Sequence, residues 1–485
     1  MSEKKNIGFN FNNSYTTLNE KLFSLCFPTP VHHPRVVTMN ITLAKELGLN
    51  LNDFSETEVA QIFSGNKISE NSQPFAQAYA GHQFGNFTVL GDGRAILLGE
   101  HITPEKKRFD IQLKGSGPTP YSRRGDGRAT LSSMLREYII SEAMYALGIP
   151  TTRSLMVIAT EEEIYREQVN EGAVLTRIAN SHIRVGTFEY VRRFTDVETF
   201  RSFTNYTIER HYPDITNTEN PALDLLKAVM EKQIELIVNW MRVGFIHGVM
   251  NTDNMSISGE TIDYGPCAFM NAYNPQTVFS SIDHNGRYAF NNQPAIAHWN
   301  LSRFAETLLI LIHPESTKAI ELAQEVLDAF NPEFKKQWMV MMGKKLGITA
   351  IENHDEKLIQ SLLAWMHSHS ADYTNTFSAL QSGNFPAEEI YQDTEFKEWY
   401  KQWRSRIEKE SVPFELMKKN NPSLIPRNHM VELALNNAAF QNDLEILKEL
   451  LSALSDPYSN SNEYALFKQP PEISTDKDYK TFCGT

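Results

Sequence analysis

Several residues in this chain have side chains suited to phosphate chemistry. The stretch from His247 to Gly265, HGVMNTDNMSISGETIDYG, presents Asn254 and Asp263 on successive loops. Divalent cations that accompany nucleoside triphosphates take oxygen ligands, few of them from protein and the rest from phosphate and water. One amide and one carboxylate meet that need, so Asn254 and Asp263 are the candidate metal ligands. Both are also common turn formers; their joint placement behind a long helical stretch and His247-Gly248 favours the metal. Asp253, beside Asn254, can reach an attacking hydroxyl and is the candidate general base. Lys114 ends the strand-like FDIQLK, and a helical stretch after it carries Glu137. A buried lysine needs a carboxylate, and such a pair serves triphosphate oxygens elsewhere. The loop Gly115–Thr130 sets Arg123, Arg124 and Arg128 among glycines. Backbone N–H groups and guanidinium forks there suit phosphate, and Asp126-Gly127 adds a turn whose carboxylate could meet a ribose hydroxyl or base edge. Arg177 and Arg184, seven residues apart, could clamp a terminal phosphate.

The order of these residues adds a second constraint. A protein kinase carries H-G/R-D-x-x-x-x-N and then D-F-G, with Asp as base and Asn and the second Asp on metal. Here Asn254 falls at the metal Asn and Asp263-Tyr264-Gly265 at D-F-G, but Val249 occupies the position of the base. The parts that hold metal-bound nucleotide are kept, and the part that meets the acceptor is changed. That points to nucleotide chemistry other than ordinary phosphorylation. An ordinary kinase also has no need of Arg177 and Arg184, because its γ-phosphate must leave toward the acceptor.

Short strands with glycine turns are expected from about Gln73 to Ala159. Phe87–Leu90 and Ala95–Leu98 flank Gly91-Asp92-Gly93-Arg94, which reads as a hairpin with a D-G turn. Phe109–Lys114, Leu155–Ala159 and Ala173–Ile178 read as strands, and Leu131–Leu147 as a helix stopped by Gly148. Leu223–Val243 has the spacing of a long amphipathic helix ending at Gly244, which delivers the chain into His247. Further helices are expected over 300–380 and 411–452. The fold expected is α+β: a protein-kinase-like arrangement with a β-rich small lobe (73–190), a helical large lobe (191–410), an N-terminal extension (1–72) and a C-terminal helical region and tail (411–485). Tyr121, His82, His284 and Asn300 read as packing or hydrogen-bonding residues.

Composition excludes some partners. The chain of 485 residues is 41% hydrophobic, enough for a large core, and its net charge of -13 disfavours broad binding to nucleic acid or anionic membrane. No apolar run is long enough to span a bilayer. The N-terminus lacks a secretory pattern, and the three cysteines, Cys26, Cys267 and Cys483, fit neither a zinc site nor a disulfide framework. A reducing cytoplasm is the expected location.

Together these segments resemble the selenoprotein O family, the bacterial YdiU-type protein adenylyltransferases. The resemblance runs from about 77 to 306 through QAYAGHQFGNF, LGDGRAILLGE, QLKGSGPTPYSRRGDGRA, LREYIISEAM, HGVMNTDNMSI, IDYGPC and DHNGRYAFNNQPAIAHWNLSRFAE. It implies a kinase-like enzyme, long regarded as a pseudokinase, that binds ATP reversed and transfers AMP to Ser, Thr or Tyr hydroxyls of proteins with Mg²⁺ or Mn²⁺. It implies nucleotide contacts at Gly91, Gly93, Arg94, Asp126 and Gly127. Phosphate contacts would fall on Lys114, Arg177 and Arg184, with Glu137 pairing Lys114. Asp253 would be the base, and Asn254 and Asp263 the metal ligands. The family can also lock its activation segment by a tail cysteine. Cys483 stands near the C-terminus and Cys267 follows Asp263, whereas Val278–Ser281, the stretch expected to supply the partner, has no cysteine. Phosphoryl transfer by the same fold, a non-catalytic nucleotide-binding scaffold and UMP transfer from UTP are the competing readings.

Overall fold

The computed structural model of the chain describes residues 5–383, 385, 389–459, 461–472 and 479–481. It is a mixed α and β structure, with its main sheet built before Ala179 and its helices concentrated after it. The strands are β1 (Phe23–Leu25), β2 (Arg35–Met39), β3 (Phe75–Gln77), β4 (Ala80–Gln83), β5 (Asn86–Val89), β6 (Ala95–Ile102), β7 (Arg108–Lys114), β8 (Ala129–Thr130), β9 (Arg153–Tyr165) and β10 (Val169–Ala179). The main sheet runs β1-β3-β6-β7-β10-β9-β2, with β8 on β10. Its neighbouring strands are antiparallel.

Side-chain alternation along β10 divides the sheet between two cores. Val174 and Ile178 enter one apolar cluster, under α1 (Ile41–Glu46) and α2 (Glu56–Phe63). Ala173 and Leu175 enter the other, which includes Met134, Leu135 and Tyr138 of α3 (Leu131–Ala146). Successive strand residues face opposite ways, so Arg177 shares the α3 face with Leu175. Lys114 of β7 stands directly opposite Leu175 in the ladder. Pairing register therefore delivers a lysine and an arginine to the same helix. That helix starts cleanly, because the Thr130 side chain accepts from the Ser133 N–H.

The later helices include α4 (Val185–Phe194), α5 (Val197–His211), α6 (Pro221–Val243) and α7 (Gln293–Ile312). In α6, Asn220 caps the first turn, Pro221 opens it, and Gly244 ends it in the left-handed region at φ 74°. Phe245–Ile246 then pairs with Ala268–Phe269, and this short ladder closes the loop between them. Gln293 at the start of α7 grips the loop's entry: it accepts from the His247 N–H at 3.1 Å and donates to the Phe245 carbonyl at 3.0 Å. Asn300, read as a packing or hydrogen-bonding residue, is buried in α7 and donates to the Met250 carbonyl at 3.0 Å.

Two expectations change. The hairpin across Gly91–Arg94 does not form, because β5 pairs with β4 and β6 pairs with β3 and β7. The hairpin that does form turns at Phe84-Gly85, both at positive φ (49° and 89°), as a type I′ turn requires. A phenylalanine in that position gives no sequence signal, and it is held from outside: the Phe84 N–H donates to Asn251 Oδ1 at 3.0 Å. The segment 1–72, expected as an extension, supplies β1, β2, α1 and α2 to the sheet and its cover. Among the described residues no helix is long and apolar enough to cross a membrane.

The left-handed cap at Gly244 yields a measurement. Gly244→Ala forces a Cβ into that conformation, 3.3 Å from the Tyr373 ring. It should lower stability by about 1–2 kcal/mol, read as a lower urea midpoint by tryptophan fluorescence. An unchanged midpoint would show that the α6 exit is not conformationally constrained.

Candidate nucleotide-binding site

A cavity of about 1660 Å³ opens between the sheet, α3 and the loop that follows α6. Gly91, Gly93, Arg94, Lys114, Asp126, Gly127, Glu137, Arg177, Arg184, Asp253, Asn254 and Asp263 all line it. Residues scattered over more than 170 positions of sequence, Gly91 to Asp263, thus meet in one space.

At its buried end the side chains form a charge network. Lys114 Nζ lies 2.6 Å from Glu137 Oε2 and 3.4 Å from Asp263 Oδ1. Arg177 Nη2 lies 2.5 Å from Glu137 Oε1 and 2.8 Å from Asp263 Oδ1. Arg184 Nη1 donates to Asp263 Oδ2 at 2.9 Å and to the Asp253 carbonyl at 3.0 Å. Three cations therefore converge on one carboxylate. Burial alone would raise the Asp263 carboxyl, but Arg177, Arg184 and Lys114 outweigh it and hold the group well below the usual carboxylate range. Burial pulls the Lys114 ammonium below its ordinary value, with Glu137 opposing. Asp263 itself sits at φ 60°, a conformation that non-glycine residues adopt rarely and that clusters at functional sites.

Asp253 is different. Burial pushes its carboxyl up to about 7 against the pull of Arg184, and its Oδ1 is buried without a hydrogen bond. Two glycines make room for it. A Cβ at Gly81 would collide with Asp253 Oδ1, and one at Gly186 would crowd the Asp253 backbone and the Ala80 carbonyl. Thr252, the residue before it, donates to Glu189 Oε2 at 2.5 Å and accepts from the His82 N–H at 2.7 Å. Glu189 also meets His82 Nδ1 at 2.5 Å, and burial lifts its carboxyl to about 7. His82, in β4, thus proves to be a hydrogen-bonding residue that holds the loop carrying Asp253. Asn254 donates through Nδ2 to the Val249 carbonyl at 2.9 Å, which fixes the amide and leaves its oxygen outside that bond. The oxygen donors Asn254 and Asp263 suit a hard cation. Among the described residues no three His, Cys, Asp or Glu side chains gather as a metal cluster, so phosphate or water must complete any ion's shell.

The rim is built from the glycine-rich segments. Tyr121 packs over Gly91 so closely that a Cβ there would strike its ring, and its hydroxyl lies 3.0 Å from Ser24 Oγ. Thr119 Oγ1 donates to the Asp92 carbonyl at 2.6 Å, which ties the Gly91–Arg94 segment to the basic loop. Arg94 Nη1 is buried and unbonded, a free donor in the cavity wall. Asp126 pairs with Arg166 at 2.8 Å at the mouth.

Sequence reading missed several contributors. Asp92, between the two glycines, is buried; it accepts from the Gln77 N–H at 3.0 Å and lies 3.8 Å from Arg184. Its aspartate–glycine neighbours suggested a turn, which hid its part in the site. Tyr79 places its ring under the Arg184 guanidinium at 4.5 Å. The helix Asn428–Phe440 lines the cavity with Glu432, Leu435, Asn436 and Phe440, and Glu432 pairs with Arg136 of α3. Cys267 is buried and does not line the cavity; Cys483 lies outside the described residues. The tail's Thr481 pairs with Ser280 and donates to the Pro266 carbonyl at 2.7 Å.

Glu137 is the common anion of Lys114 and Arg177. Removing one partner of a buried charge network costs about 3 kcal/mol or more, so Glu137→Gln should lower the urea unfolding free energy by that amount. A loss below about 1 kcal/mol would mean that solvent or other groups neutralise these cations.

Comparison with known proteins completes the picture. The family model "Protein adenylyltransferase SelO" matches residues 5–455. A "Protein nucleotidyltransferase YdiU" of Nitrosococcus oceani is 56% identical over 485 residues, covering 99% of this chain and 98% of that protein. Proteins of the same name are 52% identical in Bacillus mycoides, over 100% of both chains, and 54% identical in Brevibacillus brevis, over 99% of this chain and 98% of the relative. With its phosphate-suited cavity and a match along nearly its whole length, the chain belongs to the SelO family of protein adenylyltransferases and is a nucleotidyltransferase.

Proposed function

We propose that the chain transfers AMP from ATP to Ser, Thr or Tyr hydroxyls of proteins, with Mg²⁺ or Mn²⁺, and binds ATP in the reverse of a kinase's orientation. In this reading the sheet with α3 (73–190) and the helices of 191–410 are the two lobes of a kinase-like fold. The observation that carries it is the convergence of Lys114, Arg177 and Arg184 at the buried end of the cavity. Guanidinium forks grip phosphate oxygens bidentately. A terminal phosphate gripped there by two buried arginines is an anchor, so it departs as part of the leaving group. The phosphorus left facing Asp253 is then the α-phosphorus.

Each residue has a task on this account. Lys114, Arg177 and Arg184 turn from Asp263 to the β- and γ-phosphates when nucleotide enters, and Glu137 holds the first two in place. Arg94 adds its free donor. Gly91, Gly93, Asp126 and Gly127 shape the walls around the nucleoside. Asn254 and Asp263 hold the divalent ion, which when bound neutralises phosphate charge as it builds up. Asp253 accepts the proton of the incoming hydroxyl. The acceptor oxygen forms a bond to the α-phosphorus, the bond between that phosphorus and the bridging oxygen to the β-phosphorus breaks, and pyrophosphate leaves. A carboxyl raised by burial is a better base than an exposed one, and Asp253 Oδ1 has no competing hydrogen bond. The kinase reading shares the Lys114–Glu137 pair and the order of Asn254 and Asp263, but the arginines set it aside. Two arginines on the terminal phosphate oppose γ-transfer, and a scaffold has no use for an unbonded buried carboxylate oxygen.

The test uses Asp253→Asn and Gly81→Ala, with AMP incorporation into protein and nucleotide affinity measured separately. Both variants should cut the transfer rate by about 100-fold or more, with ATP affinity changed less than about 3-fold. Chelation of divalent metal should abolish transfer in the wild type. Full transfer by Asp253→Asn would remove Asp253 from the chemistry, and metal-independent transfer would remove Asn254 and Asp263 as ligands.

A further inference from the structure

One cationic cluster is not used by the nucleotide. Arg287 and Arg303 place their guanidinium groups 4.9 and 5.2 Å from the centre of the Trp299 ring, and Arg193 lies 4.6 Å over Phe87. The His82 ring joins the two halves, 5.4 Å from Phe87 and 5.5 Å from Trp299. None of Phe87, Arg193, Arg287, Trp299 and Arg303 lines the cavity. Among the described residues Glu306 is the one carboxylate in ion-pair contact with these arginines, 2.6 Å from Arg303. Arg193 is exposed, and Arg287 keeps a buried Nε without a hydrogen bond. The cluster is thus under-neutralised in a chain whose net charge is -13.

Its position gives it a purpose. The His82 N–H bonds to Thr252 Oγ1, and the Tyr288 hydroxyl, next to Arg287, donates to Asn251 Oδ1 at 2.6 Å. Asn251 and Thr252 lead directly into Asp253. The cluster therefore stands one layer of side chains from the residue that would meet the acceptor hydroxyl. Arginines stacked on rings are held in place and are weakly hydrated, so they give up little on pairing with a carboxylate.

We propose that this arginine–aromatic cluster is the docking site for the acceptor polypeptide, and that it selects hydroxyls flanked by Asp or Glu. This deepens the AMP-transfer reading and rests on it for the position of the hydroxyl. A short acidic segment matches three local arginines in size. An extended polyanion such as nucleic acid would instead meet the acidic remainder of the surface.

The experiment measures binding of the full chain, without nucleotide, to a dye-labelled peptide in which one Ser is flanked by Asp and Glu. Its comparison is the same peptide with Asn and Gln, and a single-stranded oligonucleotide of matched charge is the third probe. The acidic peptide should bind about 10-fold more tightly than the amide peptide. Added salt and Arg193→Glu should each erase that preference, and Arg287→Gln should weaken it. Arg193 is exposed, so its substitution tests charge without disturbing the core. Equal binding of the two peptides, a preference untouched by Arg193→Glu, or tighter and variant-sensitive binding of the oligonucleotide would overturn the proposal. AMP transfer to the two peptides separates the two claims. Transfer with equal kcat/KM for both sinks the docking site alone, whereas acidic-peptide binding that responds to Arg193→Glu without any transfer sinks the AMP reading alone.

Discussion

The site depends on one interaction: the Asp263 carboxylate held by Lys114, Arg177 and Arg184, with Glu137 behind the first two. Burying three cations is costly unless anions face them. Glu137 and Asp263 are those anions, and Asp263 is reachable from the cavity. On the proposed reading a metal-bound nucleotide would bring both a cation for Asp263 and phosphates for the three cations. Its entry exchanges partners without leaving any buried charge alone. On the same reading the network gathers the three cations before nucleotide arrives, and binding turns them from Asp263 to the phosphates.

The fold exists to make that network meet. Register in the β7–β10 ladder sets Lys114 and Arg177 on the same face, and α3 brings Glu137 to both. The exit of α6 at Gly244 and the small ladder Phe245–Ile246 with Ala268–Phe269 hold both ends of the loop bearing Asp253, Asn254 and Asp263. The β4–β5 hairpin packs against that loop, and Gly81 leaves space for the Asp253 carboxylate. Two environments then separate the two aspartates. Asp263 is surrounded by cations and kept ionised, while Asp253 is buried with Arg184 as its main counter-charge and lifted to about 7. Such separation of neighbouring carboxylates lets one site hold one group ionised and another poised to take a proton, as the proposed reading requires.

Much of this was legible in the sequence, for physical reasons. Asn254, Asp263, Lys114 and Glu137 announce themselves because each lies at a fixed distance from a strand or helix with clear periodicity. The long helix before His247 was equally plain, since its apolar spacing runs unbroken to a terminating glycine, although Asn220 and Pro221 start it two residues earlier than expected. What stayed hidden depends on contacts between distant segments. The Phe84-Gly85 turn is imposed by Asn251, and Gly91-Asp92-Gly93 imitates a hairpin turn while Asp92 serves Gln77 and Arg184. The helix Asn428–Phe440 reaches the cavity beside α3, where Glu432 pairs with Arg136, 296 residues away in sequence. Residues 1–72 carry strands too short to stand out, whose partners lie far along the chain.

The account's central claim is that the terminal phosphate is anchored and the α-phosphorus is attacked. The most direct measurement supplies ATP labelled at the α-phosphate or at the γ-phosphate, with Mg²⁺ or Mn²⁺, and follows label bound to protein in the wild type and in Asp263→Ala. The account predicts protein-bound label from the α-position alone, lost in Asp263→Ala. Label from the γ-position would contradict it, because the phosphate gripped by Arg177 and Arg184 would then be the one transferred.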